Sequence, residues 1–170
     1  ADIATVNMEA PLTNTTSQSP KCGPHIKAPP ESIEAIRQAG FKFAVMANNH
    51  TMDYGPAGMD DTLQSCGNVG LTAFGAGSNE SEAAKAVFIK NDDRTVALLA
   101  FAEHESGLAG ENLAGVAVFE PIQCCRLVRD AKTKADIVLV NVHGGREYFP
   151  LPTPRFRTWC KSLIDAGADA

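Results

Sequence analysis

Nothing in this chain is long and apolar enough to cross a bilayer as a helix. Its longest purely apolar run, Val96–Ala102, falls far short of the roughly 20 residues that a crossing needs. Residues 1–10 show no basic start followed by an apolar stretch, so no signal peptide is read there. Positive charge is scarce: 15 Lys and Arg face 20 Asp and Glu, a formal net charge of −5, and they form no cluster. That balance argues against a nucleic-acid backbone as the main partner. With 44% hydrophobic and 21% charged residues among 170, the chain is not a disordered tail either. A phosphate-cradling G-x-x-x-x-G-K-[ST] loop is missing. Gly75-Ala76-Gly77 lacks the spacing and third glycine of a dinucleotide fingerprint, and there is no G-x-S-x-G nucleophile elbow.

Cysteine is present without a pattern. The five (Cys22, Cys66, Cys124, Cys125 and Cys160) are odd in number and contain no C-x-x-C pair, so neither a structural zinc site nor a redox motif is indicated. Adjacent Cys124 and Cys125 would point to different faces of a helix. The expected state is free thiols, buried or half-buried, in a reducing compartment, which leans weakly toward the cytoplasm.

What is present is an alternation of short strands and helices. Strands are expected over Ile3–Met8, Phe41–Ala47, Val69–Phe74, Val87–Lys90, Thr95–Ala102 and Ile137–Val142. Helices are expected from Pro30 to the stop at Gly40, over Pro56–Cys66, Asn79–Ala86 and Pro121–Lys134, and over Arg155–Ala166. Asn91-Asp92-Asp93 reads as a hairpin turn. Residues 10–30, rich in Pro, Thr, Ser and Asn without periodicity, read as a long loop of the kind that is usually functional or disordered. The order β-α-β-α-β-α-β-β-α-β-α predicts an α/β protein, a single domain over residues 1–170 with a mixed sheet or two packed sheets. Both ends read as cut from a longer protein.

The chemistry collects where strands stop. Hydrophobic runs give way abruptly to Glu9, to Asn49, His50 and Asp53, to Glu103, His104 and Glu105, and to His143 and Glu147. In open α/β sheets, ligands gather beyond the carboxyl ends of strands. Each residue also has an ordinary reading. Glu9 could be a surface carboxylate, Asn49 a turn residue, His50 a structural histidine and Asp53 a cap for the following helix. His143-Gly144-Gly145 could be a tight turn. Taken together, four polar strand ends would make a cleft with oxygen and nitrogen donors suited to Mn, Fe or Zn.

Several segments carry a resemblance: Asn7-Met8-Glu9-Ala10-Pro11-Leu12, Ala47-Asn48-Asn49-His50-Thr51-Met52-Asp53-Tyr54-Gly55, Gly75-Ala76-Gly77, and His143-Gly144-Gly145-Arg146-Glu147-Tyr148. Over nearly the whole chain the sequence resembles the bacterial CapA-type capsule (poly-γ-glutamate) biosynthesis family, which is similar to calcineurin-like metallophosphatases. The resemblance implies a sandwich of two mixed β-sheets flanked by helices, here incomplete, with a two-metal site at the strand ends. Matched motif by motif, it implies Glu9, Asn49 and His143 as metal ligands and His50 as a proton donor to a leaving group. Asp53 and Glu147 are implied as further catalytic or substrate-contacting groups, with Glu103 and Glu105 as lesser candidates. Its implied cofactors are divalent metal ions, two in a complete protein. Its implied partner is an anionic polymer or small-molecule substrate, with membrane association only in the parent protein and a location at the cell envelope. The family's first metal-binding Asp and its final H-x-H motif are missing here, and Arg146 stands where Lys is more usual. The chain is therefore expected to hold part of the site and to bind metal poorly. The alternative is a non-catalytic polymer-binding component of capsule assembly or export, since membership of a fold does not define a reaction.

Overall fold

The structure, a computed structural model, describes residues 2–170. β1 (Thr5–Asn7), β2 (Phe43–Val45) and β3 (Thr72–Phe74) form one parallel sheet in that order. Each is short because the run that makes it is short. β2 is buried throughout and leads directly into Asn48 and Asn49. The crossovers are α1 (Ile33–Gln38), entered through a single 3-10 turn at Pro30–Ser32, and α2 (Gly55–Asn68). Ile33, Met59 and Cys66 anchor these helices in the core beside this sheet.

The second sheet is mixed. β5 (Val87–Asn91) and β6 (Arg94–Ala102) form the expected hairpin, and β8 (Ile137–His143) lies parallel to β6 on its other side. β6 shows why two layers arise from one strand. Val96, Leu98, Ala100 and Ala102 enter the core shared with Phe43, Ala44 and Val45 of the first sheet. The alternate residues, Ala97, Leu99 and Phe101, pack on the other side against Cys124, Val128 and Ala131 of α4 (Pro121–Lys132) and Leu163 of α5 (Pro154–Asp165). A period of two along a strand buried on both faces leaves no polar position from Val96 to Ala102. The result is the α/β sandwich expected from the sequence.

Three details go beyond the sequence reading. One sheet is parallel throughout rather than mixed. A third pairing, β4 (Ala76–Gly77) with β7 (Gly115–Val116), was not legible, because two-residue strands containing glycine carry no periodicity. Gly75, at φ +92°, is closely packed between the segments that carry the two large sheets: a Cβ there would lie 2.9 Å from Ala47 Cβ and 3.0 Å from Ala100 Cβ. Residues 10–30 are a loop as expected but an anchored one. Leu12 and Ala28 form an isolated parallel bridge, and the Leu12 N–H donates to the Thr62 hydroxyl of α2 at 2.8 Å. Among the described residues no helix is long and apolar enough to cross a membrane.

Candidate metal centre

Parallel pairing brings the polar strand ends together. Asn7 pairs with Val45 at the end of the first sheet, and Ala102 with His143 at the end of the second. The residues that follow these positions line one cavity of about 450 Å³, which includes Glu9, Asn49, His50, Glu103, Glu105, His143, Arg146 and Glu147. Four carboxylates and one guanidinium give it a negative interior. Phe149, Pro150, Leu151 and Pro152 form its apolar rim.

Within it, His143 Nε2 lies 3.0 Å from Asn49 Oδ1, although the residues are 94 positions apart. Two adjacent ligands of one divalent cation, each at ~2.1 Å, sit about 3 Å from each other, so this spacing fits a shared ion. Glu9 is steadied by Asn7, whose Nδ2 donates to Glu9 Oε2 at 3.1 Å. The donor set is two oxygens and an imidazole nitrogen, the chemistry of a borderline-hard divalent cation. Among the described residues no group of three or more His, Cys, Asp or Glu side chains is arranged to hold a metal ion. The candidate set reaches three donors only by counting the Asn49 carboxamide.

The turn after β2 is built by Asn48, which the sequence reading quoted without assigning it a task. Fully buried, it accepts at Oδ1 from the His50 and Thr51 N–H groups at 3.1 and 2.9 Å and from the Thr51 hydroxyl. Its Nδ2 donates to Asn7 Oδ1 at 3.2 Å and to the Met8 carbonyl at 3.1 Å. One side chain thus joins the strand end that carries Glu9 to the one that carries Asn49 and His50. The available signal was the Asn-Asn doublet directly after an apolar strand, since Asn side chains complete tight turns.

His50 lines the cavity, but Asp53 does not: it lies behind the imidazole and is completely buried. His50 Nδ1 is 2.8 Å from Asp53 Oδ2, which leaves the other ring nitrogen, Nε2, outside that contact. The same carboxylate forms an ion pair with Lys21, whose side chain is 9% exposed, and accepts the Ile26 N–H at 2.8 Å. Lys21 Nζ also lies 3.2 Å from His50 Nδ1. Burial pushes the Asp53 carboxyl up, but hydrogen bonds from Lys21, His50 and Ile26 outweigh it and hold the group below the usual carboxylate range. Capping of α2 is not its task, because that helix starts from Tyr54 with no side-chain cap. Lys21 was missed, because a lone lysine in an aperiodic loop carries no signal before the chain closes on itself.

Glu147, at the cavity mouth, is exposed, and Glu103 accepts the Gly145 N–H at 2.6 Å. Of the cysteines, Cys66, Cys124 and Cys125 are buried, Cys160 is partly covered and Cys22 is exposed. All five are free.

The sequence model described as "Bacterial capsule synthesis protein PGA_cap" matches residues 1–170. The chain is 34% identical over 174 residues to the PGA biosynthesis protein CapA of Bacillus subtilis, covering 99% of this chain and 46% of that protein. It is 33% identical over 151 residues to the capsule biosynthesis protein CapA of Bacillus anthracis, covering 85% of this chain and 37% of that protein. It therefore spans less than half the length of these relatives. A crystal structure described as "Putative 5'-Nucleotidase from Staphylococcus aureus in complex with alpha-ketoglutarate" superposes with a TM-score of 0.55 at 19% identity. The match covers 79% of this chain and 29% of that one. That likeness concerns the fold alone, an α/β sandwich.

Proposed function

We propose that this chain, which belongs to the bacterial capsule synthesis protein PGA_cap family, carries part of a metal-dependent hydrolytic site acting on an anionic polymer. The carrying observation is the 3.0 Å approach of His143 Nε2 to Asn49 Oδ1 inside a cavity that Glu9 also lines. Glu9, Asn49 and His143 would hold a divalent cation, which supplies Lewis acidity toward an oxygen of the scissile group when bound.

The remaining chemistry belongs to side chains of this chain. Asp53 holds His50, a residue that lines the cavity, by Nδ1, so proton exchange with a leaving group falls to the other ring nitrogen, Nε2. Arg146 offers the cavity's one cation to a substrate carboxylate or phosphate, and Glu147 stands at the mouth. The polymer is suggested by the names of the two Bacillus relatives, which refer to capsule and PGA biosynthesis.

The test is hydrolysis of a phosphodiester and of a γ-glutamyl amide with Mn²⁺ present, by the protein and by His50→Ala. The expected result is Mn²⁺-dependent turnover that falls roughly 10²–10⁴-fold in the variant. Equal rates would remove His50 from the reaction. A donor set of only three favours a second reading, a polymer-binding component without turnover. Polymer binding that persists without metal, together with no hydrolysis under any metal, would select it.

A further inference from the structure

The segment after β6 reaches both neighbouring strand ends. Glu103 accepts the Gly145 N–H beyond β8. Glu105 Oε1 accepts from Asn49 Nδ2 at 3.1 Å, and the Ser106 hydroxyl donates to the Asn49 main-chain carbonyl at 2.9 Å. Asn49 is thus held at side chain and backbone by two consecutive residues more than fifty positions away.

A carboxamide is the most ambiguous of the three candidate ligands. Its two ends have nearly the same shape, yet only the oxygen can bind a cation. His143 does not resolve the ambiguity. An imidazole nitrogen donates or accepts according to tautomer, so Nε2 would pair with either end of the amide. An ionised carboxylate only accepts, so it can face Nδ2 and never Oδ1.

We propose that Glu105 is a positioning residue that sets the Asn49 carboxamide with its oxygen toward His143 and its nitrogen away from the cation position. The orientation is a property of the metal-free chain. Its consequence for metal affinity rests on the reading of Glu9, Asn49 and His143 as cation ligands. A partner of this kind fixes a ligand before the ion arrives, and losing such a partner weakens metal binding about 10–100-fold.

Glu105 is exposed, so its variants keep the core intact. The first measurement is NMR of the Asn49 side-chain amide in metal-free protein, compared in Glu105→Ala and Glu105→Gln. In the parent protein, one Nδ2 proton is expected to show the downfield shift and slowed exchange of a charge-assisted hydrogen bond. Glu105→Ala is expected to lose both features, and Glu105→Gln, whose carboxamide can face either end of the Asn49 amide, to lose the downfield shift and keep only part of the slowed exchange. An Asn49 signal unchanged in Glu105→Ala overturns the proposal. The second measurement is Mn²⁺ affinity by calorimetry, expected to fall about 10–100-fold in Glu105→Ala and by a smaller factor in Glu105→Gln, which can accept from Nδ2 but no longer excludes the reversed amide. Equal affinity in Glu105→Ala overturns the proposal as well. If the parent protein takes up no Mn²⁺ at all, the cation reading fails, and the amide measurement still decides the orientation.

Discussion

Lys21 and Asp53 form an ion pair in which the carboxylate is completely buried and the lysine side chain is 9% exposed. A charge carried by a long loop is thereby paired behind the His50 ring, so the loop and the imidazole are held by one carboxylate. Removing one partner of such a pair leaves the other charged and desolvated, which costs roughly 3–5 kcal/mol. Lys21→Met is expected to lose stability of that order in urea unfolding. Lys21→Met combined with Asp53→Asn is expected to recover a substantial part, because no unpaired charge remains.

The same carboxylate gives stability a defined pH dependence. Its pKa is lower in the folded than in the unfolded chain. Its contribution is therefore complete above the unfolded value of about 3.9 and is lost as pH falls through the lower folded value. The stability difference between the protein and Asp53→Asn should stay constant from pH 7 to about pH 5 and shrink below about pH 4. Urea unfolding across that range checks it.

A Cβ at Gly75 would press on Ala47 and Ala100, and its φ of +92° is one that L side chains rarely adopt. Gly75→Ala combines backbone strain of about 1–2 kcal/mol with overpacking of about 1–3 kcal/mol. Gly70→Ala is the control. At φ +77° with open space around the added carbon, it should lose only the backbone part, about 1–2 kcal/mol. Thermal unfolding of the two variants separates the effects.

Burial pushes the Cys66 thiol up to about 11 and the Cys124 thiol up to about 12, so both stay protonated and covered at neutral pH. Cys22, exposed in the loop, should be the one thiol that iodoacetamide modifies quickly in the folded protein at pH 7.5. Peptide mapping by mass spectrometry reads the order of labelling.

Much of the site was legible because strands advertise their ends. The runs ending at Met8, Ala47, Ala102 and Val142 are predominantly apolar, and the residues after them are mostly polar or turn-forming with no periodicity, so Glu9, Asn49, His50 and His143 stand out. The contacts that hold these residues are not legible in the same way. Lys21 lies in the aperiodic loop, Asn48 passes for an ordinary turn residue, and Glu105 meets Asn49 only through the closure of the two sheets. Asp53 carried two sequence readings, helix cap and catalytic group. The fold gives it a third role, holding His50 from behind. Local pattern reports which residues stand at a strand end. What those residues touch is decided by contacts between segments far apart in sequence.

The measurement that bears most directly on the site is Mn²⁺ binding followed by calorimetry and by the Mn²⁺ electron paramagnetic resonance signal, for the protein and for Glu9→Ala, Asn49→Ala and His143→Ala. The account predicts weak but saturable binding, as suits a partial site, that each of the three substitutions abolishes or weakens further while the fold, followed by circular dichroism, is retained. Saturable binding that survives all three substitutions, or no binding by the parent protein, would contradict it.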